Sequence, residues 1–570
     1  MSDHPESGVI TEDRNPTPDV MSGAPSPSVV DDAFAEPAVD GQPDEGDARR
    51  PDLVVWLHGL LRRQYTLPVL MVTVIGIVAM MNHFSGVDWG DDFALYMSQA
   101  KALNTGNIAE VVENTRYAVD NSGWNTFSPY LYPWGWPLLV APVYAVFGLD
   151  YEAIKVLEVI ALCVFLLVFY VLVRRRTGPV PATALTLLIG LSPSFVGATD
   201  TVLSDLPFLC FVGLTLWWMD QCRIRGILTC GRRDLLILGL LLAYAYNTRR
   251  EGITLLIPLV ALHLTVLAGR AGRPRSLGFL REVEWRPVLL PYATFAVTTI
   301  ALHLALPSVL RPNAPGAGLQ NASARLTYYK DVLAEHVGLK DFGQPMQLLG
   351  SQDAAALAVK ALVALAIIGV VARLVHRFEE DLILASYLAG ASLLMLVSPY
   401  QESRYLFTIT PLLAYFAYQA LPTLARLARL GEGMVSAASL VPLVALAGLL
   451  TYQFEDIKRS TDYHRVYHYT VNGPESPEAV EMLSTVRQMT RGDDVLLFFR
   501  ARAMSLYTDR KAVQGSNLQQ LLPRVDWYVM AKGSTYSQAL LTDGDAAALG
   551  LTKTWENGGW VLWRVPSPAS

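Results

Sequence analysis

Three carboxylates, Asp88, Asp91 and Asp92, fall within the pentapeptide Asp-Trp-Gly-Asp-Asp, directly after an apolar run from Tyr65 to Phe84. An ionised carboxylate is costly to hold beside hydrocarbon, so a cluster there points to catalysis, ion handling or substrate binding. A carboxylate within hydrogen-bond reach of a hydroxyl can take its proton as the oxygen forms a new bond. Further along stand Asp200 and Asp205 in GATDTVLSDLPF, Arg249, Arg250 and Glu251 in AYNTRREG, and Glu402, Arg404 and Tyr405 in SPYQESRYLF. The planar guanidinium fork suits phosphate, and in a partly dry site such contacts are stronger than in water. The plainer alternative is that these arginines pair with Glu251, Glu402 or Asp205 and tie helices together. Asp91 and Asp92 also open a helical-looking segment, GDDFALYMSQAKAL, so one of the two is expected to cap it.

The elements that must position these groups follow from composition. The chain has 570 residues, 52% of them hydrophobic and 17% charged, with the apolar residues in long runs. That pattern describes a multi-pass membrane protein. Runs near 65–84, 151–173, 180–198, 203–220, 234–247, 252–268, 287–306, 353–373, 381–398, 405–421 and 434–452 predict a mainly α, polytopic transmembrane helical bundle of about eleven spans. Arginines crowd every even-numbered connection, among them Arg174, Arg175 and Arg176, then Arg223 and Arg225, then Arg373 and Arg377. Those ends are expected in the cytoplasm, which puts the Asp88–Asp92 cluster and the other motifs on the outer face.

Three domains are expected: an acidic, disordered cytoplasmic tail over 1–50, a transmembrane catalytic domain over 51–453, and an extracytoplasmic α/β domain over 454–570. The tail carries twelve Asp or Glu against three Arg and lacks the apolar centre of a cleavable signal peptide. Outer-face loop helices are predicted from about Asp92 to Leu103 and from about Ala322 to Val337, the latter holding Arg325 and Lys330. After 454 an amphipathic helix, SPEAVEMLSTVRQMT, precedes the β-rich runs VLLFF, DWYVMA and WVLWRV. Cys163, Cys210, Cys222 and Cys230 lie in spans or cytoplasmic connections, where disulfides are not expected. His464 and His468 stand four apart, but an aromatic interfacial helix accounts for them better than a metal pair, because no third ligand is apparent.

The order of GDDFALYMSQAKAL, YLYPWGWPLLVAPVYAVFGLD, LSDLPF, NTRREG and SRYLF resembles the GT-C superfamily of polyprenyl-phosphate-dependent glycosyltransferases, particularly members similar to protein mannosyltransferases and the lipid A aminoarabinose transferase. The resemblance covers roughly residues 60–455. It implies inverting transfer of a sugar from a polyprenyl-phosphate donor to a hydroxyl of a cell-envelope glycan, lipid or protein, at the outer face of the cytoplasmic membrane. By the same resemblance the catalytic base matches Asp91 best, with Asp92 and Asp88 as alternatives. Phe93-Ala94-Leu95-Tyr96 stands where some relatives have a basic residue and an earlier tyrosine, which leaves the register open by one residue. Arg250, Arg404, Arg249 and Lys330 are the expected donor-phosphate contacts, and Asp205, Tyr96, Tyr405 and Glu402 the expected substrate contacts. No cofactor is named with certainty, a divalent cation stays open, and no nucleic-acid partner is expected. A transporter of a polar or lipid-linked substrate is the competing class, but it should show repeats or Gly/Pro-broken spans in corresponding halves, and none is convincing. The oligosaccharyltransferase signature WWDYG is absent.

Overall fold

Away from water a backbone must satisfy its own polar groups, so apolar runs become helices. In the computed structural model each expected run coincides with helix, except 434–452, most of which lies outside the described residues. The structure describes residues 66–123, 129–271, 283–307, 322–337, 352–398, 401–429, 473–533 and 536–566, with a few residues between 340 and 345 and between 431 and 470. The acidic tail, His464 and His468 lie outside them. Among the described residues five helices are long and apolar enough to cross a membrane: Tyr151–Thr177, Arg250–Gly269, Trp285–Ala305, Asp353–His376 and Phe378–Val397.

Between the first two expected spans the chain is more helical than its sequence suggests. The predicted helix runs Asp91–Thr105 and ends on Gly106, whose φ of 78° lets its N–H bond back to Ala102 O. Two more follow, Ile108–Asn121 and Gly135–Phe147. The second begins in the aromatic, proline-rich stretch, where Pro137 falls in the first turn and removes an N–H that has no helical partner anyway. Gly135 is required there, because a Cβ would stand 2.6 Å from the backbone of Asn247 and Thr248. That close approach seats the start of this helix on the turn leading to Arg249.

Two buried ion clusters fix the bundle. At the arginine-rich ends, Arg176 pairs with Asp220 and Asp381, each at 2.8 Å, and Arg373 also pairs with Asp381. At the other end, fully buried Lys155 donates to Phe84 O and Gly86 O at 2.6 Å and pairs with Asp200 at 2.7 Å. Lys155 therefore staples the chain just before it reaches Asp88.

The C-terminal part is a mixed five-stranded sheet in the order Lys511–Val513, Val495–Leu497, Trp527–Ala531, Trp560–Arg564, Thr552–Glu556. The first three strands are parallel and the last two antiparallel to their neighbours. The helix Pro477–Met489 buries Ala479, Met482, Leu483 and Val486 in a core shared with Trp89, Phe93 and Met97 of the bundle side. Trp89 packs edge-on against Phe498, Phe499 and Trp560 at centroid distances of 5.2, 5.7 and 5.6 Å. Trp89→Ala should cost about 3–5 kcal/mol of this packing. The check is limited proteolysis of the detergent-purified protein, in which the C-terminal part should become cleavable well below the temperature at which the bundle melts.

Candidate functional site

The Asp91–Thr105 helix starts at Gly90, which has extended backbone and no side-chain cap. Neither aspartate caps it, contrary to expectation. Both lie in the first turn, favourable for negative charge, and their side chains turn to partners elsewhere. Asp92 Oδ1 accepts from the Tyr132 hydroxyl at 2.5 Å, and its Oδ2 lies 2.8 Å from Arg404 Nη1. Arg404 Nη1 is also 3.8 Å from Asp205 Oδ2, while Asp205 Oδ1 accepts from Arg249 Nη1 at 2.6 Å. Arg249 in turn donates to Glu251 at 3.0 Å and lies over the Tyr405 ring. Four sequence-distant motifs thus meet in one alternating chain of charge, Asp92, Arg404, Asp205, Arg249, Glu251.

Asp91 points the other way. Its Oδ1 accepts from the Arg502 backbone N–H at 3.2 Å, and Oδ2 lies 3.6 Å from Arg500 Nη1. The two neighbouring carboxyls consequently differ. Burial pushes Asp91 above the ordinary aspartate range, against the opposing pull of Arg502 and Arg500. Burial acts on Asp92 as well, but Arg404, the Tyr132 hydroxyl and Arg502 outweigh it and hold Asp92 below that range.

Two cavities meet at this array. One, of about 610 Å³, is lined by Tyr96, Tyr132, Arg249 and Arg250 and by an apolar wall that includes Leu394, Met395 and Val397. The other, of about 1100 Å³, lies toward the C-terminal part and is lined by Asp88, Asp91, Arg500 and Arg502. Asp92, Asp205, Glu402, Arg404 and Phe407 line both. They form the partition.

The structure brings together Asp91, Asp92, Arg249, Arg404, Asp205, Tyr405 and Glu402. Tyr96 joins through its hydroxyl on Ser204 at 2.9 Å and its ring 4.6 Å from that of Tyr132. Arg250 reaches the first cavity with its guanidinium 4.6 Å over the Tyr246 ring, and Asp88 is an exposed residue lining the second. Lys330 is not brought in: it lies 3.7 Å from its neighbour Asp331 and is absent from both linings. Its long loop drew attention to it, but its helix face carries it elsewhere. Among the described residues no group of three or more His, Cys, Asp or Glu is arranged to hold a metal ion. Sequence reasoning missed Tyr132, Arg500 and Arg502. The available signal was the basic pair in FFRARAM, immediately after an apolar strand, where a strand-to-helix turn presents free N–H groups.

Residues 131–277 match the model of the family described as dolichyl-phosphate-mannose-protein mannosyltransferase. The fold is similar to the crystal structure of ArnT from Cupriavidus metallidurans bound to undecaprenyl phosphate, with a TM-score of 0.52 and 12% identity, covering 88% of this chain and 99% of that one. The archaeal oligosaccharyltransferase AglB from Archaeoglobus fulgidus, in complex with an inhibitory peptide and a dolichol-phosphate, aligns at a TM-score of 0.47 and 12% identity over 82% of this chain and 69% of that one. No curated protein sequence matches significantly. The mainly helical, multi-pass bundle with a C-terminal α/β part expected from the sequence is therefore an ArnT-like fold.

Proposed function

We propose that the chain is an inverting glycosyltransferase of the cytoplasmic membrane, moving a sugar from a polyprenyl-phosphate donor to an acceptor hydroxyl at the outer face. The observation that carries this reading is the shared boundary: a carboxylate–arginine array lies between an apolar-walled cavity and a second cavity whose lining is more polar and holds Asp88, Asp91, Arg500 and Arg502. The family match over residues 131–277 and the ArnT-like fold, in a structure that holds undecaprenyl phosphate, favour a lipid-phosphate donor.

In this mechanism the isoprenoid lies along Leu394, Met395 and Val397, and its phosphate reaches the Arg404, Arg249 and Arg250 guanidinium groups. The acceptor enters from the larger cavity. Its hydroxyl oxygen attacks C1 of the sugar from the face opposite the phosphate, the C1–O bond to phosphate breaks, and configuration inverts. Asp91 takes the hydroxyl proton, for which a carboxylate of raised pKa is the better base of the pair. The departing lipid phosphate keeps the bonding electrons, and the fixed guanidinium groups stabilise that charge without reorganising. Asp92 stays ionised and orients Arg404.

Purified protein in vesicles, given a polyprenyl-phosphate donor with a radiolabelled sugar and a membrane-envelope extract as acceptor, should move label covalently onto the acceptor. Label that crosses the bilayer still attached to its carrier would instead favour a transporter. A cytoplasm-only reporter should be active when fused before Pro51 and silent when fused after Ser570, because the proposed orientation sets the two ends on opposite sides.

A further inference from the structure

Asp91 is engaged by a turn 411 residues further along the chain. The strand Val495–Leu497 and the helix Ala501–Thr508 meet at Phe498-Phe499-Arg500, and both oxygens of Asp91 are held there, one by the Arg502 N–H and one by the Arg500 guanidinium. The Arg502 side chain, 4% exposed, donates to Pro129 O and lies 5.9 Å over the ring of Tyr132, whose hydroxyl holds Asp92. A single turn therefore braces both carboxylates. The turn is itself locked: Ala501 N–H donates to Gln514 Oε1 at 2.9 Å, Gln514 N–H donates to Ser122 Oγ at 3.0 Å, and Phe498 and Phe499 clasp Trp89.

We propose that the C-terminal α/β part completes the catalytic site, with Arg500 as a positioning residue that keeps Asp91 oriented and ionised. This rests on the reading of Asp91 as the base. An exposed ion pair would do little; here the Arg500 side chain is 37% exposed, which weakens its pull, but the Asp91 side chain is only 11% exposed and both groups line the same cavity. A cation within about 4–6 Å typically lowers a carboxyl pKa by about 1–3 units. Burial and the neighbouring Asp92 raise the Asp91 pKa, while the Arg502 charge, then Arg500, and the Arg502 N–H oppose them; without Arg500 only part of that opposition is lost, and the base holds its proton to higher pH.

The test is the pH dependence of kcat for the full chain in vesicles, supplied with a polyprenyl-phosphate sugar donor, for Arg500→Gln, Arg500→Lys and Asp91→Asn. For Arg500→Gln the acidic limb should move up by about one pH unit, so that kcat is about tenfold lower at pH values below the parental limb and recovers above the shifted one, with a donor KM within about twofold of the parent. Arg500→Lys should keep the parental limb. A Gln profile superimposable on the parent overturns the proposal. So does a loss equal at every pH, or one that Lys fails to restore, because either marks a purely structural residue. Asp91→Asn separates the two readings: an active Asn variant removes Asp91 as the base, whereas an inactive Asn variant beside an unchanged Gln variant removes only the role of Arg500.

Discussion

Asp91→Asn should lower turnover by about 10²-fold or more while donor affinity and melting stay near the parent's, the usual scale of losing a general base. The amide is isosteric and can still accept from the Arg502 N–H, so the geometry of the turn survives. What disappears is the basic oxygen. In the parent, the rate should rise with pH through an Asp91 pKa that burial has lifted above the ordinary aspartate range. Below that pKa the base is protonated and idle; above it transfer is fully developed. In the Asn variant this limb should vanish along with the rate. A severe loss in Asp92→Asn with a near-normal Asp91→Asn would shift the base by one position.

Arg404 should give the other large effect, in two separable forms. Arg404→Ala leaves Asp92 and Asp205 facing each other without the intervening cation, and removing one partner of a largely buried array costs about 3–5 kcal/mol. Most of that should appear as lost melting temperature. Arg404→Lys keeps the charge but loses the planar fork, so a true phosphate contact should weaken the donor even in protein that melts like the parent. Donor affinity is the measurement. An unchanged value in well-folded Arg404→Lys would confine Arg404 to its structural ion pairs.

Much of the bundle was legible because a membrane narrows the options. Apolar runs become helices, and charges at their ends are scarce enough that SDLPF, NTRREG and ESRYLF stand out. Position along the chain cannot show that Asp205 accepts from Arg249 while Arg404 spans Asp92 and Asp205. Those are tertiary facts about which helix ends converge. Tyr132 was hidden among the aromatic residues that any membrane edge attracts. Arg500 and Arg502 were hidden for the opposite reason: basic residues in a water-facing α/β part are ordinary, and only the docking of that part on Trp89 makes them part of the site. The Gly135–Phe147 helix escaped because thirteen residues are too few to cross a bilayer and its prolines mimic a loop. The edge strands Lys511–Val513 and Thr552–Glu556 are short or polar enough to pass for turns.

The separation of 411 residues between Asp91 and the Arg502 N–H has a consequence in time. At the usual rate of synthesis, about 5–20 residues per second, roughly 20 to 80 seconds pass between the ribosome's release of one partner and its release of the other. During that interval the candidate spans from Tyr151–Thr177 to Phe378–Val397 are made, with the aspartate pair already present and its brace still unwritten. A nascent or prematurely terminated chain can fill the membrane but cannot assemble the braced carboxylate. On the proposed reading of Asp91 as the base, competence for transfer therefore arises only once the Phe498–Arg502 turn has been made and has docked.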